Sequence, residues 1–72
     1  MNMTKDKAEA IFHSFSAKEW KLDPNYSSIK SSIWKTLEGN NIQAFTRKGK
    51  RFIMWTPAGS PDGFPSSTIA LD

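Results

Sequence analysis

The segment Arg47-Lys48-Gly49-Lys50-Arg51 places four cations in five residues, and the chemistry it suits is the gripping of a polyanion. Like charges this close repel and gain little from packing. Phosphates relieve the repulsion, and each phosphate contact releases a condensed counterion. The arginine fork binds a phosphate through two bonds, which suits Arg47 and Arg51, while Lys48 and Lys50 are mobile point charges for a nucleic-acid backbone or minor groove. The same residues would also serve as a solubilising strand edge. Residues 27–56 hold Lys30, Lys35, Arg47, Lys48, Lys50 and Arg51 against the single acid Glu38. The first 26 residues, by contrast, balance Lys5, Lys7, Lys18 and Lys21 against Asp6, Glu9, Glu19 and Asp23.

A second group lies just upstream. With Ile29, Ile33 and Leu37 on one helical stripe, Ser27, Ser28, Ser31 and Lys35 turn outward, and Lys30, Ser32 and Thr36 run along the borders. Hydroxyls of this size bond phosphates or base edges without steric conflict, although a serine-rich solvated face would look the same. A third group is aromatic: Phe45, Phe52 and Trp55 alternate with basic residues, as a stacking platform for unpaired bases would. In a chain of 72 residues most aromatics are needed inside, so Trp20 and Trp34 read as core-edge or contact residues.

Nothing in the chain argues for catalysis. His13 is the only histidine and lies off the apolar stripe of its segment, and the serines have no base at a usable spacing. The acids are too scattered for a metal site, and no motif implies a cofactor or a small-molecule ligand. Without cysteine there is no disulfide and no thiolate ligation, so packing alone must hold a single small domain. No apolar run approaches the roughly 18 residues of a membrane span, and Met1 to Lys7 lacks the apolar stretch of a secretion signal, so the expected place is the cytoplasm.

The elements that would position these groups follow from periodicity. Ala8, Ile11, Phe12 and Phe15 predict a helix over 4–15 with Thr4 as N-cap. Ser16-Ala17-Lys18-Glu19 has the form of a capping box, predicting a second helix to about Leu22, or one bent helix if the two merge. Asp23-Pro24-Asn25 turns the chain. Residues 27–38 then read as a third helix, closed by a left-handed cap at Gly39-Asn40-Asn41. Residues 42–47 and 51–56 predict a hairpin about Lys48-Gly49-Lys50, with Phe45 opposite Phe52 if the loop has two residues and the pairing shifted by one if it has three. Pro57, Gly59, Pro61, Gly63 and Pro65 make 57–72 an irregular or flexible tail, in which Pro61-Asp62-Gly63 is a turn signal and Phe64 and Ile69 are able to dock on the core.

Helix, short helix, turn, longer helix and basic hairpin is an order that resembles the winged helix-turn-helix DNA-binding domains over about residues 4–56. The expected class is therefore α+β: a three-helix, helix-turn-helix-like core over 1–56 with a C-terminal β-hairpin wing, then the tail. The resemblance implies a small regulatory protein that binds double-stranded DNA, with 27–38 as recognition helix in the major groove and 42–56 as wing. The expected contact residues are Ser27, Ser28, Lys30, Ser31, Lys35, Arg47, Lys48, Lys50 and Arg51. One such domain touches few base pairs, so a homodimer or a partner protein is expected, with Trp20, Trp34 and the tail as contact surfaces. The alternatives are a protein-interaction or inhibitory module whose basic hairpin docks on an acidic partner, and an RNA or single-strand binder.

Overall fold

A computed structural model of the chain describes residues 3–59 and 66–72. The order is α1 (Lys5–His13), a single 3₁₀ turn (Ala17–Glu19), β1 (Trp20–Asp23), β2 (Tyr26–Ser32), β3 (Lys35–Leu37), β4 (Asn40–Arg47), β5 (Lys50–Pro57) and β6 (Ser67–Ala70). All pairings are antiparallel, in the order β1-β2-β4-β5-β6, and β3 pairs with β4 beyond the end of β2. One helix therefore lies on one face of an antiparallel sheet. This overturns the three-helix core with a hairpin wing, and with it the likeness to winged helix-turn-helix domains.

The first helix forms where expected. Thr4 Oγ1 accepts the Lys7 N–H at 3.1 Å, and Ala8, Ile11 and, just past the helix, Phe15 are buried. Ser16 also acts as foreseen in one respect, since its N–H donates to the Glu19 carboxylate at 2.7 Å. Instead of a helix to Leu22, however, the box starts one 3₁₀ turn that delivers the chain into β1.

The larger correction concerns 27–38, which is strand rather than recognition helix. Ile29, Ile33 and Leu37 are spaced by four, and four is a multiple of the strand period of two as well as close to the helical period of about 3.6. Composition then decides. Four serines, β-branched isoleucines and a threonine disfavour a helix interior and suit a pleated surface. Gly39 does take a positive φ, of 77°, but with Glu38 at 51° it forms a two-residue hairpin turn, not a helix cap. Lys48 (52°) and Gly49 (78°) form the same kind of turn, so the second hairpin has the two-residue loop and Phe45 pairs with Phe52.

β2 and β3 are one strand interrupted by a bulge. Ser31 pairs with Phe45 and Lys35 with Ile42, leaving three residues on one side and two on the other. Side chains repair the ladder there. Ser32 Oγ accepts the Ala44 N–H at 2.8 Å, and the Gln43 amide nitrogen donates to the Ser32 carbonyl at 2.9 Å. Ser32 is the one buried polar residue among those described, 4% exposed, whereas Ile33 and Trp34 at the bulge lie exposed.

The core is Ala8, Ile11, Phe15, Ile42, Ala44, Ile53 and Leu71, with Phe12, Trp20, Trp55 and Ile69 packed around it. Of the expected tail, residues 67–70 form β6, so it is not irregular there. Residues 60–65, with the Pro61-Asp62-Gly63 turn signal and Phe64, lie outside the described residues. No helix among the described residues is long and apolar enough to cross a membrane.

The bulge makes a stability prediction. Ser32→Ala strands the Ala44 N–H in the core and should cost about 1–3 kcal/mol in urea unfolding. Ser31→Ala, on the opposite side of the same strand, should cost less than about 0.5 kcal/mol.

Candidate nucleic-acid interface

Alternation along the strands assigns each side chain to a face. On β4, Ile42 and Ala44 are buried beneath the helix, so Asn41, Gln43, Phe45 and Arg47 point to the other side. The register carries this assignment across the sheet. Lys21, Ser31, Phe45, Phe52 and Ala70 stand in one row over five strands, a width of about 19 Å at the usual strand spacing. The next row toward the hairpin tip is Ile29, Arg47 and Lys50. On the opposite side come Gln43, Met54 and Thr68, and then Thr36, Asn41 and Thr56. None of these four rows contains a carboxylate, and no described helix covers them.

The centre of this open face is the Phe45–Phe52 pair. The rings are 4.9 Å apart at their centroids and within 10° of parallel. That separation matches the strand spacing, so the rings stand side by side. Their outer faces look over small neighbours, Ser31 on one flank and Ala70 on the other. An aromatic ring with a small residue beside it is a slot for a flat π-system. Hydrogen-bonding groups flank the pair on one side, where Thr36 donates to Asn41 Oδ1 at 3.0 Å and Gln43 is held by its bond to Ser32. On the other side stand exposed cations: Arg47, Lys50 and, in the turn, Lys48.

Ion pairing engages most of the described carboxylates away from this face. The carboxylates of Glu9, Glu19, Glu38 and Asp72 are each engaged on the helix side: Glu38 with Lys7 at 2.6 Å, Glu19 with Lys35 at 2.9 Å, and Glu9 and Asp72 both with Arg51, at 2.6 and 2.8 Å. Lys35 also lies 4.7 Å over the Phe15 ring, and Arg51 lies 5.6 Å over Phe12. These two residues, expected as phosphate contacts, are thus committed within the chain.

The other expected contacts divide. Arg47, Lys48 and Lys50 come together at the tip, and Ser31 joins the central row. Ser27 and Ser28 are exposed on β2 away from the Phe pair. Lys30 lies on the helix side, where with Phe12, Ala17, Trp20 and Thr46 it lines a shallow groove. Lys21 and Gln43 belong to this face with no clear signal in the sequence, since 16–22 has the form of a helix start and only the helix packed on Ile42 and Ala44 fixes which alternating set of β4 is open. His13 is exposed and bonded to Glu9, and among the described residues no group of His, Asp and Glu is placed to hold a metal.

No family model, curated protein or solved structure matches the chain.

The Arg51 network carries a pH signature. The Arg51 guanidinium, followed by His13 for Glu9 and by the Arg51 N–H for Asp72, holds both carboxyls below the usual carboxylate range. A carboxyl whose folded pKa is depressed contributes stability that is complete above its unfolded value and lost as pH falls through the folded one. Thermal stability should therefore hold down to about pH 4 and decline below it. Arg51→Met should flatten this acid limb, as measured by melting temperature against pH.

Proposed function

We propose that this protein binds single-stranded nucleic acid, RNA or single-stranded DNA, across the open face of its sheet. The observation that carries the reading is the central row. A stacked Phe pair sits between small residues, with hydrogen-bonding side chains on one flank and three exposed cations on the other. Bases would enter the slots beside Phe45 and Phe52, and the phosphates would run past Arg47, Lys48 and Lys50. Such binding is governed by stacking and backbone charge, so it tolerates many sequences. Its action is occupancy, not chemistry, and the cytoplasm is the compartment this reading supposes.

A second reading keeps double-stranded DNA as the partner, held by the hairpin alone. The observation favouring it is the tight Lys48-Gly49 turn, which projects Arg47, Lys48 and Lys50 from one end of the sheet. A β-ribbon of this kind is able to enter a groove.

The two readings separate by mutation. For a labelled oligouridine followed by fluorescence anisotropy, Phe45→Leu with Phe52→Leu should weaken binding about tenfold or more while keeping the apolar cover. Ser31→Ile, which fills the slot beside Phe45 and leaves both rings in place, should also weaken it. Replacing Arg47, Lys48 and Lys50 by Gln should reduce the log–log salt slope by about 2. Duplex binding unaffected by the Phe variants would favour the hairpin reading, and no binding of either nucleic acid at low salt would defeat both.

A further inference from the structure

The two outer strands of the sheet differ in how they meet solvent. On one side β1 is four residues long, carries Lys21 and Asp23, has an irregularity between Leu22 and Asp23, and runs directly into Pro24. Charge, irregular pairing and proline are the usual devices that stop an edge from pairing with another chain. The neighbouring β3 spans only Lys35–Leu37. On the other side β6 is Ser67-Thr68-Ile69-Ala70, with no charge, no proline and unbroken register against β5. Among the described residues, nothing pairs with its outer side.

The hydrogen-bond phase of that edge follows from one bond. The Leu71 N–H donates to the Arg51 carbonyl at 2.9 Å, and the register makes these two residues opposite partners. Alternation then turns the backbone groups of Ser67, Ile69 and Leu71 inward to β5, and those of Thr68 and Ala70 outward. Two outward residues separated by one form a self-complementary unit, because a two-fold axis through Ile69 sets Thr68 opposite Ala70 of the second copy, and Ala70 opposite its Thr68.

We infer that β6 is a homodimer interface, in which two copies join edge to edge in antiparallel fashion about Ile69. Four backbone hydrogen bonds close between the copies. Ile69 meets its equivalent in the second copy at a non-hydrogen-bonded position, where side chains approach most closely. That contact lies on the helix side, where Ile69 is only partly buried against the core. A second copy fits this edge better than an unrelated strand does, since an isologous pairing needs no further complementarity. The two open faces then continue into one another, each contributing its own Phe45–Phe52 pair to a single surface. The interface rests on the edge alone and not on what the face binds.

Thr68→Pro is the discriminating variant. It removes an N–H that faces outward and leaves the ladder to β5 intact, a position where a strand tolerates proline. In sedimentation equilibrium at high micromolar concentration the wild-type chain should reach twice its 8.1 kDa mass, and Thr68→Pro should stay at the single mass with an unchanged circular dichroism spectrum. Amide exchange gives an independent reading: Thr68 and Ala70 should gain protection as wild-type concentration rises, while Ile69 and Leu71 are protected throughout. A wild-type chain that stays monomeric to millimolar concentration would overturn the inference. So would a folded Thr68→Pro that still dimerises, or protection of Thr68 and Ala70 that does not change with concentration.

Discussion

The contact of Ala8, Ile11 and Phe15 with Ile42, Ala44 and Ile53 closes the only core this chain has among its described residues, and its geometry constrains everything else. A helix of nine residues is about 14 Å long, so it covers one side of a sheet five positions wide and no more. The uncovered side must then be made acceptable to water by other means. Polar and charged residues supply most of that surface. Its two aromatic rings are drawn together as a stacked pair, so each ring shields a face of the other.

The same division organises charge. Most of the carboxylates of the described residues are tied to cations around the helix, and that pairing has a structural use: Arg51 joins α1, β5 and the segment after β6 through Glu9 and Asp72. Such exposed pairs add little stability singly, but a shared arginine orients three elements at once. Among the described residues, Arg47, Lys48 and Lys50 are left without an ion pair at the β4–β5 tip and Lys21 on the open face, while Lys5, Lys18 and Lys30 are likewise unpaired nearer the helix. The densest part of the positive charge is thus the hairpin tip.

Residue types legible without coordinates were those whose local chemistry admits one solution. Thr4 before an apolar stripe starts a helix, and Lys48-Gly49 between strand formers makes a hairpin with its tip basic. The segment from Ser27 to Leu37 was illegible by periodicity because a spacing of four serves both regular structures, and the bulge at Ile33 and Trp34 moves the strand out of phase midway. With a helix assumed there, Gly39 looked like its cap. Arg51 and Lys35 are expected from the sequence as phosphate contacts, but their partners Glu9, Asp72 and Glu19 lie far away in sequence, and only the folded chain brings them together. The Phe pair was visible as a pairing, but which face it occupied depended on knowing that a single helix covers the other.

The order of the strands along the chain also governs how the sheet assembles. β1 to β5 pair mainly with near neighbours in sequence across short turns, and such hairpins close in about 1–10 μs. β6 joins across the longer connection between Pro57 and Ser67, and any conformation in which β6 is undocked leaves β5 with a bare edge. That strand contains Phe52-Ile53-Met54-Trp55, the longest unbroken apolar run in the sequence. Such a conformation exposes this run at an unpaired edge, the feature that makes a chain prone to aggregate. Lys50 and Arg51 before the run and Pro57 just after it flank it as charge and proline gatekeepers do, a use of the basic tip that requires no partner.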